Sequence, residues 1–355
     1  MSGQSPAFPL AEQPAGKAAG ESESRQLSIA DLDGDHRDLL VRAIARILST
    51  ELAEITYAQI IDGLPIADVA FDRRAHFAAG HPMDHFHEEL CPGMLDRARE
   101  FRDGFRPEIL TFNSLLLHGY RACAPGSRGF KTRLIEMVAV AVHQIAAILY
   151  ELDTSVHKDD GIVEWAPPKS ESWWWSCYPE GPLPTLFSHG WYVDYDQYPK
   201  HVADVVGYWA EARILGGVVL FDRRKPDAEP SADPDAVYFH SDREDVTYRI
   251  YQLLPEQRKA LLDFLIADEP PSASPLPILG DEENRVRVDP EEPIQTTGIY
   301  RDPWERKELA PDAGDSRLRD VWDVIEYPAR DDFSASRRRA FERKSRVLDA
   351  EVSDN

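Results

Sequence analysis

The sequence predicts an α+β fold: a predominantly helical single body with a small β-hairpin and long ordered loops rich in proline and tryptophan. Three observations predict it. Apolar residues recur at helical spacing in several segments, of which 130–152 is the longest. Strand-like runs are confined to 218–221 and 236–239, too few for a barrel or a doubly wound sheet. The 27 prolines against 20 glycines imply extended, stiff connections rather than a regular alternation of strands and helices.

Taken in order, residues 1–28 form a tail without enough apolar surface to offset chain entropy, and a globular body spans 29–310. Residues 33–61 carry one helical stripe through Leu39, Leu40, Ile44, Ile47 and Leu48. A polar loop follows through His81-Pro82-Met83-Asp84-His85-Phe86-His87-Glu88, then helices at 94–103 and 109–122. In 130–152 the polar residues Arg133, Glu136, Gln144 and Glu151 occupy one narrow arc, so this helix is mostly buried and forms the spine. His143 sits at the border of that arc as a hydrogen-bonded structural residue. Residues 153–199 hold Trp165, Trp173, Trp174, Trp175 and Trp191 with little periodicity, as expected of a long loop pinned by aromatic side chains.

A helix at 200–215 stops at Gly216-Gly217, and the hairpin of 218–221 with 236–239 follows. Two helical pieces are expected at 246–254 and 255–266, the second opened by Pro255. Residues 268–311 wrap the surface in extended form, anchored by Trp304 and Trp322. The extension 311–355 ends in a basic helix at 334–347.

The charge balance excludes several function classes. Forty Lys and Arg against 63 Asp and Glu leave a net charge of −23, a field that repels phosphate backbones and anionic lipid headgroups. Neither a nucleic-acid nor a membrane partner is therefore expected, whereas a small-molecule substrate fits. The most apolar stretch, 137–150, is too short to span a bilayer. Cys91, Cys123 and Cys177 are an odd set without a C-x-x-C pair, which suits free thiols in a reducing compartment. With no export signal at the start of the chain, the expected location is the cytoplasm.

Familiar motifs fail on spacing. Gly126-Ser127-Arg128-Gly129-Phe130-Lys131-Thr132 has a phenylalanine where a phosphate loop needs its lysine. His87-Glu88-Glu89-Leu90-Cys91 opens like a zincin helix but has Cys91 in place of the second histidine, with Pro92 and Gly93 next.

Two constellations survive. His81, His85 and His87 form the densest imidazole group. A turn opened by Pro82, or an extended segment, brings two of them to one divalent transition metal, with Asp84 or Glu88 completing a mixed set. His157-Lys158-Asp159-Asp160 follows the spine and offers the His-x-Asp half of a non-haem iron triad, with His201 or His240 as the third ligand. The competing reading of both is turn-capping side chains. His189 and His240 lie beside aromatic residues, the composition of a pocket with acid–base groups and equally of a core edge.

The blocks His81-Pro82-Met83-Asp84-His85-Phe86-His87, 207–223 (GYWAEARILGGVVLFDR), 238–243 (YFHSDR) and 297–307 (TGIYRDPWERK) resemble an uncharacterised family of filamentous-fungal proteins, over about residues 35–310. The resemblance implies a cytosolic fungal protein of the kind that accompanies natural-product pathways. It brings no catalytic residues with it.

Two functions are then in view. One is an accessory enzyme of fungal secondary metabolism that moves protons on a small, partly apolar molecule through His85, His87, His157, Asp159 and His240, with or without a metal at His81, His85 and His87. In the metal-dependent form this becomes an oxygenase of the non-haem iron type. The other is a non-catalytic accessory or partner-binding protein.

Overall fold

A 24-residue helix, Arg128–Glu151, runs through the middle of the protein and organises the rest. The computed structural model describes residues 25–72, 80–225, 227, 229–230, 232–269 and 273–307, with a few isolated positions between 329 and 338. Residues 1–24 of the expected tail, Trp322, and nearly all of the expected basic helix lie outside the described residues.

The chain enters through β1 (Gln26–Ser28), so the last residues assigned to the tail are in fact ordered as a strand. The single helix expected over 33–61 is two, α1 (Gly34–Leu48) and α2 (Glu51–Asp62). Thr50 separates them: its hydroxyl accepts from the Ala53 N–H at 3.2 Å and donates to the Ile47 carbonyl at 2.7 Å. A side chain that caps a new helix this well interrupts the old one, although the apolar stripe continues across it. A short helix α3 (Ala67–Phe71) precedes the histidine loop, and α4 (Met94–Gly104) follows it.

Only the second half of the helix expected at 109–122 forms, as α5 (Ser114–Ala122) capped by Asn113. The first half is β2 (Thr111–Asn113), antiparallel to β1. The spine helix is α6, whose Ser127 side chain caps the Phe130 N–H. By length and composition α6 is the one candidate for a membrane span among the described residues, longer than the apolar run alone suggested. Its apolar surface is covered from inside the protein by α1, α2, α5, a later helix and the sheet.

Residues 153–199 form the expected long ordered connection, interrupted by a short helix α7 (Ser172–Cys177). It leads to α8 (Val202–Leu215), which is buried on almost every side and lies against α6. The close approach requires Gly207, where a Cβ would sit 2.4 Å from the His143 ring. His143 bridges the two helices, with Nε2 2.9 Å from Asp204 Oδ1 and Nδ1 2.8 Å from Glu211 Oε1. Both partners only accept, so the ring carries both protons. Burial works against that charge, but the two carboxylates override it and push the pKa up to about 9. Glu211 passes the network on to Arg301 at 2.6 Å.

The expected hairpin is the centre of a five-stranded antiparallel sheet. Its strands are β3 (Val218–Asp222), β4 (Val237–His240), β5 (Ile250–Gln252), β6 (Arg287–Val288) and, after the helices α9 (Pro255–Ile266) and α10 (Ile294–Thr297), β7 (Ile299–Tyr300). Their order is β6-β5-β4-β3-β7. The helical piece expected at 246–254 is therefore wrong. Ile250 and Tyr251 favour a pleated surface, and the strand pairs Phe239 with Tyr251. The extended wrap contributes the two edge strands, and Trp304, 37% exposed, anchors little of it.

Candidate metal centre

The C-terminal end of α2 is where three loops meet. Gly63 ends the helix with φ +107°, and a Cβ there would lie 1.7 Å from Ser155 Oγ, so only glycine lets the 153–157 loop close on the helix. That loop is tied down by the Val156 N–H on the Asp62 carbonyl at 3.0 Å and by the Thr154 hydroxyl on the Ile61 carbonyl at 3.3 Å. On the other side the Ala67 N–H donates to the His87 carbonyl at 2.9 Å, fixing the histidine loop. His87 itself has φ +62°, a strained conformation for a residue with a side chain.

These constraints place Asp62, His87, Cys91 and His157 so that one donor atom from each lies within 4.8 Å of the other three. The two imidazoles are oriented in the same way. His87 Nδ1 is 2.9 Å from the Pro65 carbonyl, and His157 Nδ1 is 2.8 Å from Asp160 Oδ2. Both acceptors require Nδ1 to carry the proton, which leaves each Nε2 pointing inward. His87 Nε2 reaches Asp62 Oδ2 at 3.0 Å, and His157 Nε2 lies 3.4 Å from both Asp62 Oδ1 and Cys91 Sγ. The rings themselves meet edge to face, with centroids 4.7 Å apart.

Asp62 is fully buried. Its Oδ2 accepts from the Cys91 N–H at 2.8 Å as well as facing His87, whereas Oδ1 is a buried oxygen with no hydrogen-bond partner. Burial favours the neutral acid, but the hydrogen bonds from His87 and Cys91 outweigh it and hold the carboxyl below its ordinary range. His87 is displaced the other way: burial would lower its pKa, and its bonds to Asp62 and Pro65 raise it. The Cys91 thiol is pushed up by burial and by Asp62. A second carboxylate, a thiolate or any further anion is therefore disfavoured here unless a cation accompanies it.

The donor set fits a divalent transition ion. Ions of the zinc class take imidazole nitrogen at about 2.0–2.1 Å and thiolate sulfur at about 2.3 Å, which places tetrahedral ligand atoms roughly 3.3–3.8 Å apart. The two 3.4 Å separations, from His157 Nε2 to Cys91 Sγ and to Asp62 Oδ1, fall in that span, and the 3.0 Å from His87 Nε2 to Asp62 Oδ2 falls short of it. A carboxylate and a thiolate also match the charge of a dication, and the negative end of the α2 dipole favours it. Asp160 and the Pro65 carbonyl stand where partners of ligating histidines are found.

The structure brings together only part of the expected constellations. His87 and His157 converge, but the other residues do not. His81 is buried and caps the turn Pro82–Asp84, its Nδ1 accepting from the Met83 N–H at 3.2 Å and its ring edge on Trp165. His85 points outward and is exposed, as are Asp84 and Glu88. A triad of His81, His85 and His87 does not form, because the turn sends the three rings in different directions.

Asp159 is exposed, and its neighbour Asp160 is the residue that holds His157. His240 is wholly buried in β4, with Nε2 on the Tyr248 carbonyl at 3.0 Å and Nδ1 on the Tyr192 hydroxyl at 3.1 Å. His189 donates to the His240 carbonyl. Both belong to the core edge, not to an acid–base pocket. His201 serves neither as a ligand nor as a partner of the cluster.

Sequence reasoning missed Asp62 altogether, since a terminal helix aspartate carries no distinguishing signal. Cys91 was visible at four residues from His87, but the helix on which that spacing would matter does not exist. Residues 87–91 are irregular and reach the site as a loop.

His157 also lines a cleft of about 510 Å³. Its floor includes Ile60, Tyr150, Val163, Pro184 and Val202, and Lys158, Glu164, Lys200 and His201 stand around it. No family model, curated protein or solved structure matches the chain.

Proposed function

We propose that the chain is a metal-dependent enzyme acting on a small, partly apolar molecule, with one zinc-class ion held by Asp62, His87, Cys91 and His157. The observation that carries this reading is the convergence of two Nε2 atoms and a thiol on the fully buried Asp62 carboxylate, whose Oδ1 has no regular hydrogen bond and faces His157 Nε2 at 3.4 Å. A buried carboxylate is costly unless its charge is fully compensated, and a coordinated cation supplies that compensation. Catalysis is supported by the cleft: His157 forms part of its wall, so a mixed apolar and polar space of substrate size adjoins the centre. Such an ion would polarise a carbonyl or activate water only where one of the four donors gives up its position or the coordination expands to five. His201 supplies an acid–base group to the same cleft, its Nδ1 on the Tyr195 carbonyl at 3.3 Å leaving Nε2 as a proton acceptor.

The test is elemental analysis of chain purified without chelator, followed by Co²⁺ replacement. One ion per chain and a sulfur-to-cobalt charge-transfer band that vanishes in Cys91→Ser are expected. A chain that takes up neither Zn²⁺ nor Co²⁺ sinks the reading.

One observation favours a second reading. Cys91 Sγ, His157 and Asp160 line up as thiol, imidazole and carboxylate, at 3.4 and 2.8 Å, the order of a cysteine hydrolase relay. Two features oppose it. Asp62 raises the thiol pKa, and it occupies the Cys91 N–H that an oxyanion would need. Alkylation of metal-free chain by iodoacetamide separates the two: a relay requires fast labelling of Cys91 at neutral pH, the metal reading slow labelling.

A further inference from the structure

We infer that Cys91 is an oxidation site through which a hydroperoxide empties the metal centre, so that the bound ion is under redox control. The inference rests on the metal reading above and extends it to the regulation of the same site.

Of the four donors, only the Cys91 sulfur is open to mild two-electron oxidation. The backbone on either side of it is fixed: its N–H is held by Asp62 Oδ2 at 2.8 Å, and its carbonyl accepts from the Met94 N–H at 3.2 Å. The residue is nevertheless only partly buried, whereas Asp62 is sealed off completely. Of the two anionic donors, Cys91 is thus the one on the more open side of the cluster, the side from which a small peroxide would approach. The buried Asp62 Oδ1, 3.4 Å from His157 Nε2 and without a regular hydrogen bond, faces the space between the donors where an ion would sit. Coordination keeps the sulfur as thiolate, the form that attacks peroxides.

The step balances as follows. The thiolate sulfur attacks the peroxide, an S–O bond forms and the O–O bond breaks. Sulfur is oxidised to the sulfenic level, and hydroperoxide is reduced to hydroxide or alkoxide. The oxidised sulfur is a poor ligand, so Asp62, His87 and His157 are left to hold the ion with one anionic donor in place of two. Cys123 lies elsewhere, against Gly129 beside the α5–α6 connection, so it does not close a disulfide with Cys91. External thiol then returns the sulfenic acid to the thiol: two thiols are oxidised to a disulfide and one water leaves.

The experiment uses full-length chain loaded with Zn²⁺ and treated with hydrogen peroxide in the presence of a zinc-sensitive dye, with dimedone trapping and peptide mapping. Loss of the bound ion in step with a dimedone adduct on Cys91, and recovery of binding after dithiothreitol, are expected. In Cys91→Ser, which keeps the backbone N–H on Asp62, whatever Zn²⁺ binds should resist peroxide. Retention of the ion by wild type, or release without modification of Cys91, overturns the inference while leaving the metal reading intact. Failure of wild type to load Zn²⁺ at the outset removes both.

Discussion

Gly63 and Ser155 approach so closely that a methyl group on residue 63 would lie 1.7 Å from the Ser155 oxygen. This contact fixes the His157 loop to the end of α2, and with it the distance between His157 and Asp62. Gly63→Ala should therefore cost several kcal/mol, from left-handed strain of about 1 kcal/mol plus displacement of the loop. Metal content should fall along with the melting temperature. A variant that loses stability but binds Zn²⁺ as tightly as wild type would show that the loop does not set the site.

Asp160 acts on the ion through His157. In Asp160→Asn the partner of Nδ1 becomes neutral, and Zn²⁺ affinity should drop by roughly 10–100-fold, with Asp160→Glu recovering part of it. Competition titration against a chelator of known affinity measures this directly, and the Co²⁺ spectrum reports whether the coordination has changed. Unchanged affinity in both variants would remove Asp160 from the centre.

Asp62→Asn keeps an acceptor for the Cys91 N–H but removes the charge that balances the ion. Binding should weaken by more than in Asp160→Asn, since a direct ligand is altered. In contrast, His85→Ala and Asp159→Asn should leave metal content unchanged, because both residues are exposed and outside the cluster. His240→Ala should cost about 2–4 kcal/mol in stability, because it removes a wholly buried ring and strands its partners, while metal content per folded chain stays the same.

His143 gives the fold a pH limit that is separate from the metal. Its pKa is raised to about 9 in the folded state against about 6.5 unfolded, so its contribution is complete below pH 6.5 and is lost as pH rises through 9. Although burial opposes this, Asp204 is lowered by His143 and the Lys200 backbone and charge, and Glu211 by the charge of Arg301 and by His143. Their contribution is complete above the unfolded carboxylate range and disappears in acid. Denaturant midpoints should thus be highest between about pH 5 and 7 and decline by pH 9. In His143→Gln the alkaline part of that decline should be absent. A midpoint independent of pH between 6.5 and 9 in wild type would contradict the imidazolium.

Much of the scaffold was legible because it depends on local pattern. The spine appears in the apolar residues of α6, α8 stops at Gly216, and Pro255 opens α9. The failures share a cause. Thr50 breaks a continuous apolar stripe, and Ile250-Tyr251 pair with a strand that local periodicity does not reveal.

What the sequence determined by itself is the helical frame, the buried character of α6, the acidic surface and the candidacy of His87 and His157 as chemical groups. What only the tertiary structure decided is which of eleven histidines meet, and that Asp62 and Cys91 complete the set. The physical reason is range. Helix spacing and caps act over a few residues, whereas the centre joins positions 62, 87, 91 and 157 through a glycine contact, a strained His87 and loop hydrogen bonds that exist only once the loops have closed on α2.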